Sequence, residues 1–158
     1  AGSGCKGPVV RVCMGGFDSN DNMGARHPVL MTRRGEALAA VNRSMSDIGM
    51  ADQVTAFTAS DCGRTLGSNG GGSDHGWGSH HFIVGGAVDG GKFLGIPPTT
   101  RLGEGEDVGR GALLPTTAVY QYAATLALWF GASATDLPLI LPNIGNFNAK
   151  RLPIFRRA

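Results

Sequence analysis

Glycine is the residue that most constrains how this chain folds, because it fills 26 of 158 positions against an average usage of about 7%. The glycines are clustered rather than periodic, which excludes a collagen-like chain. The clusters are Met14-Gly15-Gly16, Gly67–Gly78, Gly85-Gly86 and Gly90-Gly91. Such clusters let the backbone turn sharply or approach a ligand closely. Composition alone slightly favours sharp turns, in a loop-rich protein with long irregular segments.

Length, charge and cysteine content narrow the class of protein. A hydrophobic content of 42% over 158 residues fits a single domain, residues 1–158, with its own core. The net charge of +2 is too small to argue for a nucleic-acid partner, and no apolar run is long enough to span a membrane. The three cysteines, Cys5, Cys13 and Cys62, have no CxxC spacing. A Cys13–Cys62 bridge requires that their strands be neighbours.

Hydrophobic periodicity predicts alternating strands and helices. A buried strand over residues 9–14, an amphipathic helix over 28–48 and a strand over 54–58 form a βαβ unit, which implies a parallel pair. Gly49 is the predicted stop of that helix. The predicted fold class is therefore α/β, with a mostly parallel sheet flanked by helices. The other predicted elements are a glycine-rich loop at 63–79, strands at 81–84 and 92–94, an irregular connection at 96–115, and a short helix ending near Leu141. A further helix is predicted from a Thr117 cap to Phe130, with a stop at Gly131 and one apolar face formed by Val119, Tyr122, Ala123, Leu126 and Phe130.

Polar side chains follow the predicted strands at the points where those strands end or begin. Asp18 follows the first strand, Asp61 and Arg64 follow the second, and Asp74-His75 lie in the loop before the third. Because ligands bind outside the carboxyl ends of parallel strands, we expect these groups to meet at one sheet edge. Carboxylates with imidazoles are typical of a divalent metal site, and an arginine beside them is typical of a phosphate-handling site. The alternatives are local: Asp18 and Asp61 as turn or helix caps, Arg64 as a partner of Asp61 alone, and a histidine at position 80 or 81 as a satisfied core residue.

Several motifs in order resemble the family called domain of unknown function 1501. They are Gly16-Phe17-Asp18-Ser19-Asn20, Thr58 to Thr65, Asn69, Gly72-Ser73-Asp74-His75-Gly76-Trp77-Gly78, Asp107 to Gly111, Leu114 to Thr117, Gln121 to Leu126 and Leu141 to Ile144. The resemblance covers nearly the whole chain.

The resemblance implies an architecture, a location and a site. Members are typically longer, so the chain is expected to be the C-terminal part of an alkaline-phosphatase-like domain that is incomplete at its N-terminus. Members typically carry a twin-arginine export signal, which implies a periplasmic or extracellular protein. The family looks like a distant relative of the alkaline phosphatase and sulfatase superfamily, and Asp18, Asp61 and His75 occupy places similar to its metal ligands. Zinc, calcium or magnesium is the expected ion.

The chain departs from the family pattern at two places. Asn20 stands where the family commonly has histidine, and Asp61-Cys62 stands where it commonly has Glu-Phe. Asparagine offers only a weak amide oxygen to a metal. The nucleophile of the superfamily lies outside this chain.

Three functional hypotheses follow. The first is a metal-dependent hydrolase of phosphate or sulfate esters, in which Asp18, Asp61 and His75 hold the ion and Arg64 or Asn69 holds the oxygens of a small anionic substrate. The second is a non-catalytic extracytoplasmic module that joins an oligomer or other assembly, or binds a surface ligand. The third is carbohydrate binding through Trp77, whose alternative role is to pack the glycine loop.

Overall fold

The computed structural model describes residues 7–156. Within this range the α-helices are α1 (Met23–Asp47), α2 (Val119–Phe130) and α3 (Leu137–Ile140), and the strands are β1 (Thr55–Phe57), β2 (Gly63–Ser68), β3 (Ser73–Gly76) and β4 (Ile83–Gly85). Short 3-10 helices span Ala51–Gln53 and Pro142–Asn146. The remaining described residues form turns and irregular segments, including the predicted irregular connection over 96–115.

The strands form two small antiparallel sheets, so the predicted parallel, alkaline-phosphatase-like architecture is wrong. Strand β1 pairs with β4 in the register Thr55↔Gly85, and β2 pairs with β3. The βαβ prediction fails because the segment over residues 9–14 belongs to no sheet, and Val12 on it is 87% exposed. The strand predicted at 92–94 is likewise absent from the described sheets. The Thr55 hydroxyl on β1 is buried without a hydrogen-bond partner.

The predicted glycine-rich loop is in fact a hairpin formed by β2 and β3. Glycine permits it, because a Cβ atom on Gly63 would lie 1.8 Å from the backbone oxygen of Gly78. The turn is closed by Asn69, whose backbone N–H donates to Gly72 O at 3.1 Å and whose Oδ1 accepts from the N–H groups of Gly71 and Gly72. This geometry is an Asx-type turn. It sets the spacing of the two strands that carry the candidate site.

Helix α1 begins earlier than predicted and ends where expected. It starts after Asn22, a left-handed residue with φ 47°, and it contains Pro28 rather than beginning there. At the other end Gly49 adopts φ 72°, and the Met50 N–H donates to Met45 O at 2.8 Å. The predicted glycine stop is therefore confirmed. No residue of α1 is buried.

The hydrophobic core lies between α2, α3 and the following 3-10 helix. Its buried members are Ala124, Leu137 and Ile144, and partly buried side chains such as Tyr120 and Leu128 pack against them. The predicted α2 helix is confirmed, including the Gly131 stop at φ 109°, but its cap is not Thr117. Instead the Gln121 side chain accepts from the Ala118 N–H at 2.9 Å.

Residues 152–155 connect this core to the region beside the β1–β4 sheet. Thr125 Oγ1 on α2 accepts from the Leu152 N–H at 2.8 Å, and the Asp89 N–H donates to Ile154 O at 2.8 Å. Phe155 stacks on Trp129 with ring centroids 5.0 Å apart. The segment therefore bridges α2 to the region that follows β4.

The two described cysteines, Cys13 and Cys62, are free thiols, so the bridge that the sequence left possible is not formed. Cys5 lies outside the described residues. Across residues 7–156 there is no helix with the combined length and hydrophobicity needed to cross a bilayer.

Candidate functional site

The site is built where a polar loop, residues 17–20, lies across the β2–β3 hairpin. Ser19 in this loop is 1% exposed, and its backbone oxygen accepts from the Ser73 N–H at 3.4 Å. Gly72 lets the loop come this close, because a Cβ atom there would lie 2.2 Å from Ser19 O. The hairpin and the loop therefore form one surface.

Asp18 is the centre of the site. Its Oδ1 atom lies 2.8 Å from His75 Nε2 and also accepts a hydrogen bond from Arg64 Nη2. Arg64 on β2 and His75 on β3 are register partners, so their side chains start from directly opposed positions. The hairpin thus delivers both groups to one carboxylate.

The electrostatics of the site favour an ionised Asp18. The hydrogen bond from His75, followed by that from Arg64, holds the pKa of the Asp18 carboxyl below its usual value. The Asp18 and His75 side chains remain 68% and 58% exposed. The carboxylate and the imidazole are therefore accessible from solvent.

Arg64 has its terminal donors occupied inside the chain. Its Nη1 donates to Asn20 Oδ1 at 2.7 Å and to Ser73 O at 2.9 Å, while its Nη2 donates to Phe17 O at 3.2 Å and to Asp18. Its side chain is only 22% exposed. Asn20, which the sequence marked as a missing metal ligand, is one of the acceptors. Arg64 therefore ties the 17–20 loop to the hairpin.

Asn69 extends the polar network to the far end of the hairpin. Its Nδ2 donates to Asn20 O and to Asp74 Oδ1, both at 2.9 Å. The other carboxylate oxygen of Asp74 forms an ion pair with Arg110 Nη2 at 2.9 Å. The sequence predicts no role for Arg110, and its position in the Asp107 to Gly111 motif is the one signal that points to it. The amide donors of Asn69, like the terminal donors of Arg64, are therefore hydrogen-bonded within the chain.

The structure brings together two of the three predicted metal ligands. Asp18 and His75 meet, but no hydrogen bond or ion pair among residues 7–156 joins Asp61 to either of them. Asp61 instead neighbours Cys62, whose pKa is raised by burial and then by the Asp61 charge. Over the same residues, no three His, Cys, Asp or Glu side chains gather as a metal ion requires. The residues present therefore do not assemble the expected ligand set, and the divalent metal stays a prediction.

Two other predicted polar or aromatic positions lie outside this network. His81 packs on Tyr122 with ring centroids 5.6 Å apart, and its Nδ1 lies 3.4 Å from Thr58 Oγ1. Burial lowers the pKa of His81 and raises that of Tyr122 to about 12. His81 therefore stacks on Tyr122 at an exposed position and is not the core histidine that one of the local alternatives expected. Trp77 is 69% exposed, so its ring does not pack the hairpin down.

The fold and the site together define a small chain of helices and two antiparallel strand pairs, with a polar cluster centred on one carboxylate. Residues 4–129 match the family described as "Protein of unknown function (DUF1501)". The chain belongs to this family. No curated protein and no solved structure matches it.

Proposed function

We propose that the chain is a non-catalytic binding and assembly module, in which the polar cluster holds the hairpin in shape and exposed apolar surface binds other protein. A periplasmic or extracellular location is part of the proposal and rests on the family resemblance. The observation that carries the proposal is that the side-chain donors of Arg64 and Asn69 are already hydrogen-bonded within the chain. All four terminal N–H groups of Arg64 and both amide donors of Asn69 have acceptors inside the chain. A substrate oxygen would have to displace these bonds.

Surface area supports the assembly half of the proposal. The chain exposes 10959 Å², whereas a compact monomer of its mass, 16.3 kDa, exposes about 7,500 Å². The difference of about 3,500 Å² exceeds the roughly 800 Å² that one partner buries in a standard interface. Large apolar side chains contribute to the exposed surface, including Val9, Val12 and Phe93. Exposed apolar surface is typical of a protein that functions in contact with another.

The test combines mass, metal content and turnover on the same preparation. Sedimentation velocity over a hundredfold concentration range is expected to show a mass that rises above that of one chain. Metal analysis after dialysis against zinc, calcium or magnesium is expected to find less than one ion per chain, and aryl phosphate and aryl sulfate to remain intact. A monomer with one tightly held ion and turnover would overturn the proposal.

One observation favours a second candidate, hydrolysis of a small phosphate or sulfate ester. Asp18 orients the His75 ring through Nε2, which leaves Nδ1 as the atom that can accept a proton from an attacking water. The expected result under this candidate is turnover of an aryl ester that falls at least a hundredfold in His75→Gln. His80→Gln, which alters a neighbouring exposed histidine, is the matched control. Equal rates in wild type and His75→Gln would eliminate this candidate.

A further inference from the structure

One loop presents a fully exposed aromatic side chain. Phe93 has no part of its side chain buried, and it stands between Gly91 and Gly95, which adopt φ 73° and 92°. These left-handed glycines make the tight bends that lift the residue away from the chain. The loop is held at its base, because Lys92 pairs with Asp89. We call residues 91–96 the Phe93 loop.

The Phe93 loop continues into further exposed apolar surface. Ile96 is largely exposed, and its backbone oxygen accepts a hydrogen bond from Thr116 Oγ1. This bond brings the loop beside the start of α2, where Val119 is also largely exposed. Aromatic side chains, Phe included, are enriched in protein interfaces relative to the rest of the surface. Exposed to water, the same side chains would be unfavourably hydrated.

A groove elsewhere on the chain has the complementary composition. It has a volume of about 410 Å³ and lies between the backbone of Gly15-Gly16 and the first half of α1. Its lining includes the apolar side chains of Ala25, Val29 and Leu30 and the guanidinium-bearing side chains of Arg26 and Arg33. The two arginines are seven residues apart on the helix, a rise of about 10 Å. A planar side chain between them would meet both apolar carbon and guanidinium groups.

The α1 groove and the segment that follows the Phe93 loop carry opposite charge, and the one charge in the loop itself, on Lys92, is paired with Asp89. Between Met23 and Gly35, α1 has three arginines and no acidic residue. The segment that follows the Phe93 loop, residues 101–107, has three acidic residues and one arginine. Opposite patches of this kind steer association and fix the orientation of the partners. The charges favour contact between the loop of one molecule and the groove of another.

We propose that the Phe93 loop of one copy binds in the α1 groove of a second copy, with the Phe93 ring on Val29 and Leu30 and beside Arg33. The ring would contribute apolar burial of about 200 Å² and a cation–π contact. Because loop and groove are different surfaces, the contact is head-to-tail, and each added copy leaves one free loop and one free groove. The proposal rests on the assembly function above and assigns its surfaces.

Complementing variants test the head-to-tail contact directly. Phe93→Ser removes the anchor but leaves the groove, and Arg33→Glu reverses a charge of the groove lining but leaves the loop. Sedimentation velocity is expected to show that each variant alone self-associates about thirtyfold more weakly than wild type, the change typical of a lost hot-spot anchor. An equimolar mixture is expected to form a species of two chains, since one intact loop and one intact groove remain. Leu139→Ser and Arg43→Glu are matched controls at exposed positions away from both surfaces, and both are expected to associate like wild type.

The outcomes separate this inference from the broader proposal. If wild type associates and Phe93→Ser associates equally well, the assigned surfaces are wrong while an assembly module still stands. Failure of the two variants to complement each other would likewise overturn the head-to-tail contact. If wild type stays monomeric up to about 100 μM, both proposals fall. Circular dichroism of each variant establishes that a loss of association is not a loss of folding.

Discussion

Arg64 is the residue on which the arrangement of the candidate site depends. It reaches the side chains of Asp18 and Asn20 and the backbone of Phe17 and Ser73 from one planar group. Lysine keeps the charge but cannot donate in a fork to several acceptors at once. The position therefore requires the shape of arginine and not only its charge.

Arg64→Lys is expected to lower the free energy of unfolding by about 1–3 kcal/mol, because it leaves half-buried acceptors without donors. Urea denaturation followed by circular dichroism measures the change. Arg110→Lys is the matched control, since Arg110 is largely exposed and makes an ion pair with Asp74, for which we expect a change below about 0.5 kcal/mol. Equal effects of the two substitutions would show that Arg64 contributes charge alone.

His81 is expected to make the free energy of unfolding depend on pH. Burial lowers the pKa of its ring below the ordinary 6.5, so between these two values the unfolded chain binds a proton that the folded chain does not. The free energy of unfolding is therefore expected to fall as pH drops below about 6.5. His81→Phe keeps a ring on Tyr122 and is expected to flatten the fall between pH 7 and 5.

The control for this pH dependence is His80→Phe, at the exposed neighbouring position. Thermal unfolding at pH 7, 6 and 5 compares the three proteins. An undiminished fall in His81→Phe would assign the acid sensitivity to another group.

Part of the site could be predicted from residue type and order. Asp18 and His75 were expected to meet, and their atoms lie 2.8 Å apart. Asp61 was expected to join them only because strand ends converge at one edge of a parallel sheet, and that sheet is absent from the described residues. From the sequence, Asn20 is only the replacement of a histidine ligand. In the structure it accepts a hydrogen bond from Arg64, a residue 44 positions away. Contacts of that range have no local signature.

At the scale of elements, glycine decides whether the hairpin can form. Gly63 lies so close to Gly78 that any side chain would displace backbone rather than a flexible group. The hairpin in turn sets Arg64 opposite His75. A change at Gly63 therefore reaches the site without touching a functional side chain.

Gly63→Ala is expected to destabilise the chain by more than about 3 kcal/mol, in the range reserved for specific structural conflicts. Gly35→Ala makes the same chemical change in the interior of α1, where no atom lies within 4 Å, and is expected to stabilise by about 0.5–1 kcal/mol. Chemical denaturation of the two variants measures both. If Gly63→Ala were as stable as wild type, the close approach of the two backbone segments would be wrong.

Helices were predicted better than strands, for a physical reason. Helix ends carry local signals, and the stops at Gly49 and Gly131 are both confirmed. The buried residues of α2 are Ala124 and Thr125, and neither belongs to the predicted apolar face. Because this helix is apolar almost all round, periodicity cannot select the face that is buried. Strand pairing is not local: β1 pairs with β4 across the whole intervening hairpin. The pattern of residues 54–58 therefore identified a strand but not its partner.

At the scale of the whole molecule, the balance of core and surface is unusual. Among the described residues, the buried apolar side chains are Ala124, Leu137, Ile144 and Ile154. A core of this size buries little apolar surface against the entropy of ordering the chain. Stability is therefore expected to depend on contacts between molecules.

The thermal midpoint of wild type is accordingly expected to rise with protein concentration, because association with the folded form stabilises it by mass action. The gain is at most about 1.4 kcal/mol per contact for each tenfold increase in concentration. Differential scanning calorimetry from about 5 to 500 μM measures it. Phe93→Ser is expected to have a midpoint that is nearly independent of concentration. A constant midpoint for wild type would contradict a link between assembly and stability.

The lone hydroxyl of Thr55 offers a way to strengthen this lightly packed chain. Because that oxygen is shielded from water and bonds to nothing, its desolvation is an uncompensated loss of about 1–3 kcal/mol. Thr55→Val substitutes a methyl group of similar size, suited to a strand, and is expected to raise the urea midpoint; a lower midpoint would mean that the oxygen has a partner after all. Such a reinforced background would act as a suppressor, keeping weakened variants such as Arg64→Lys folded, so that loss of the polar cluster could be distinguished from loss of the protein.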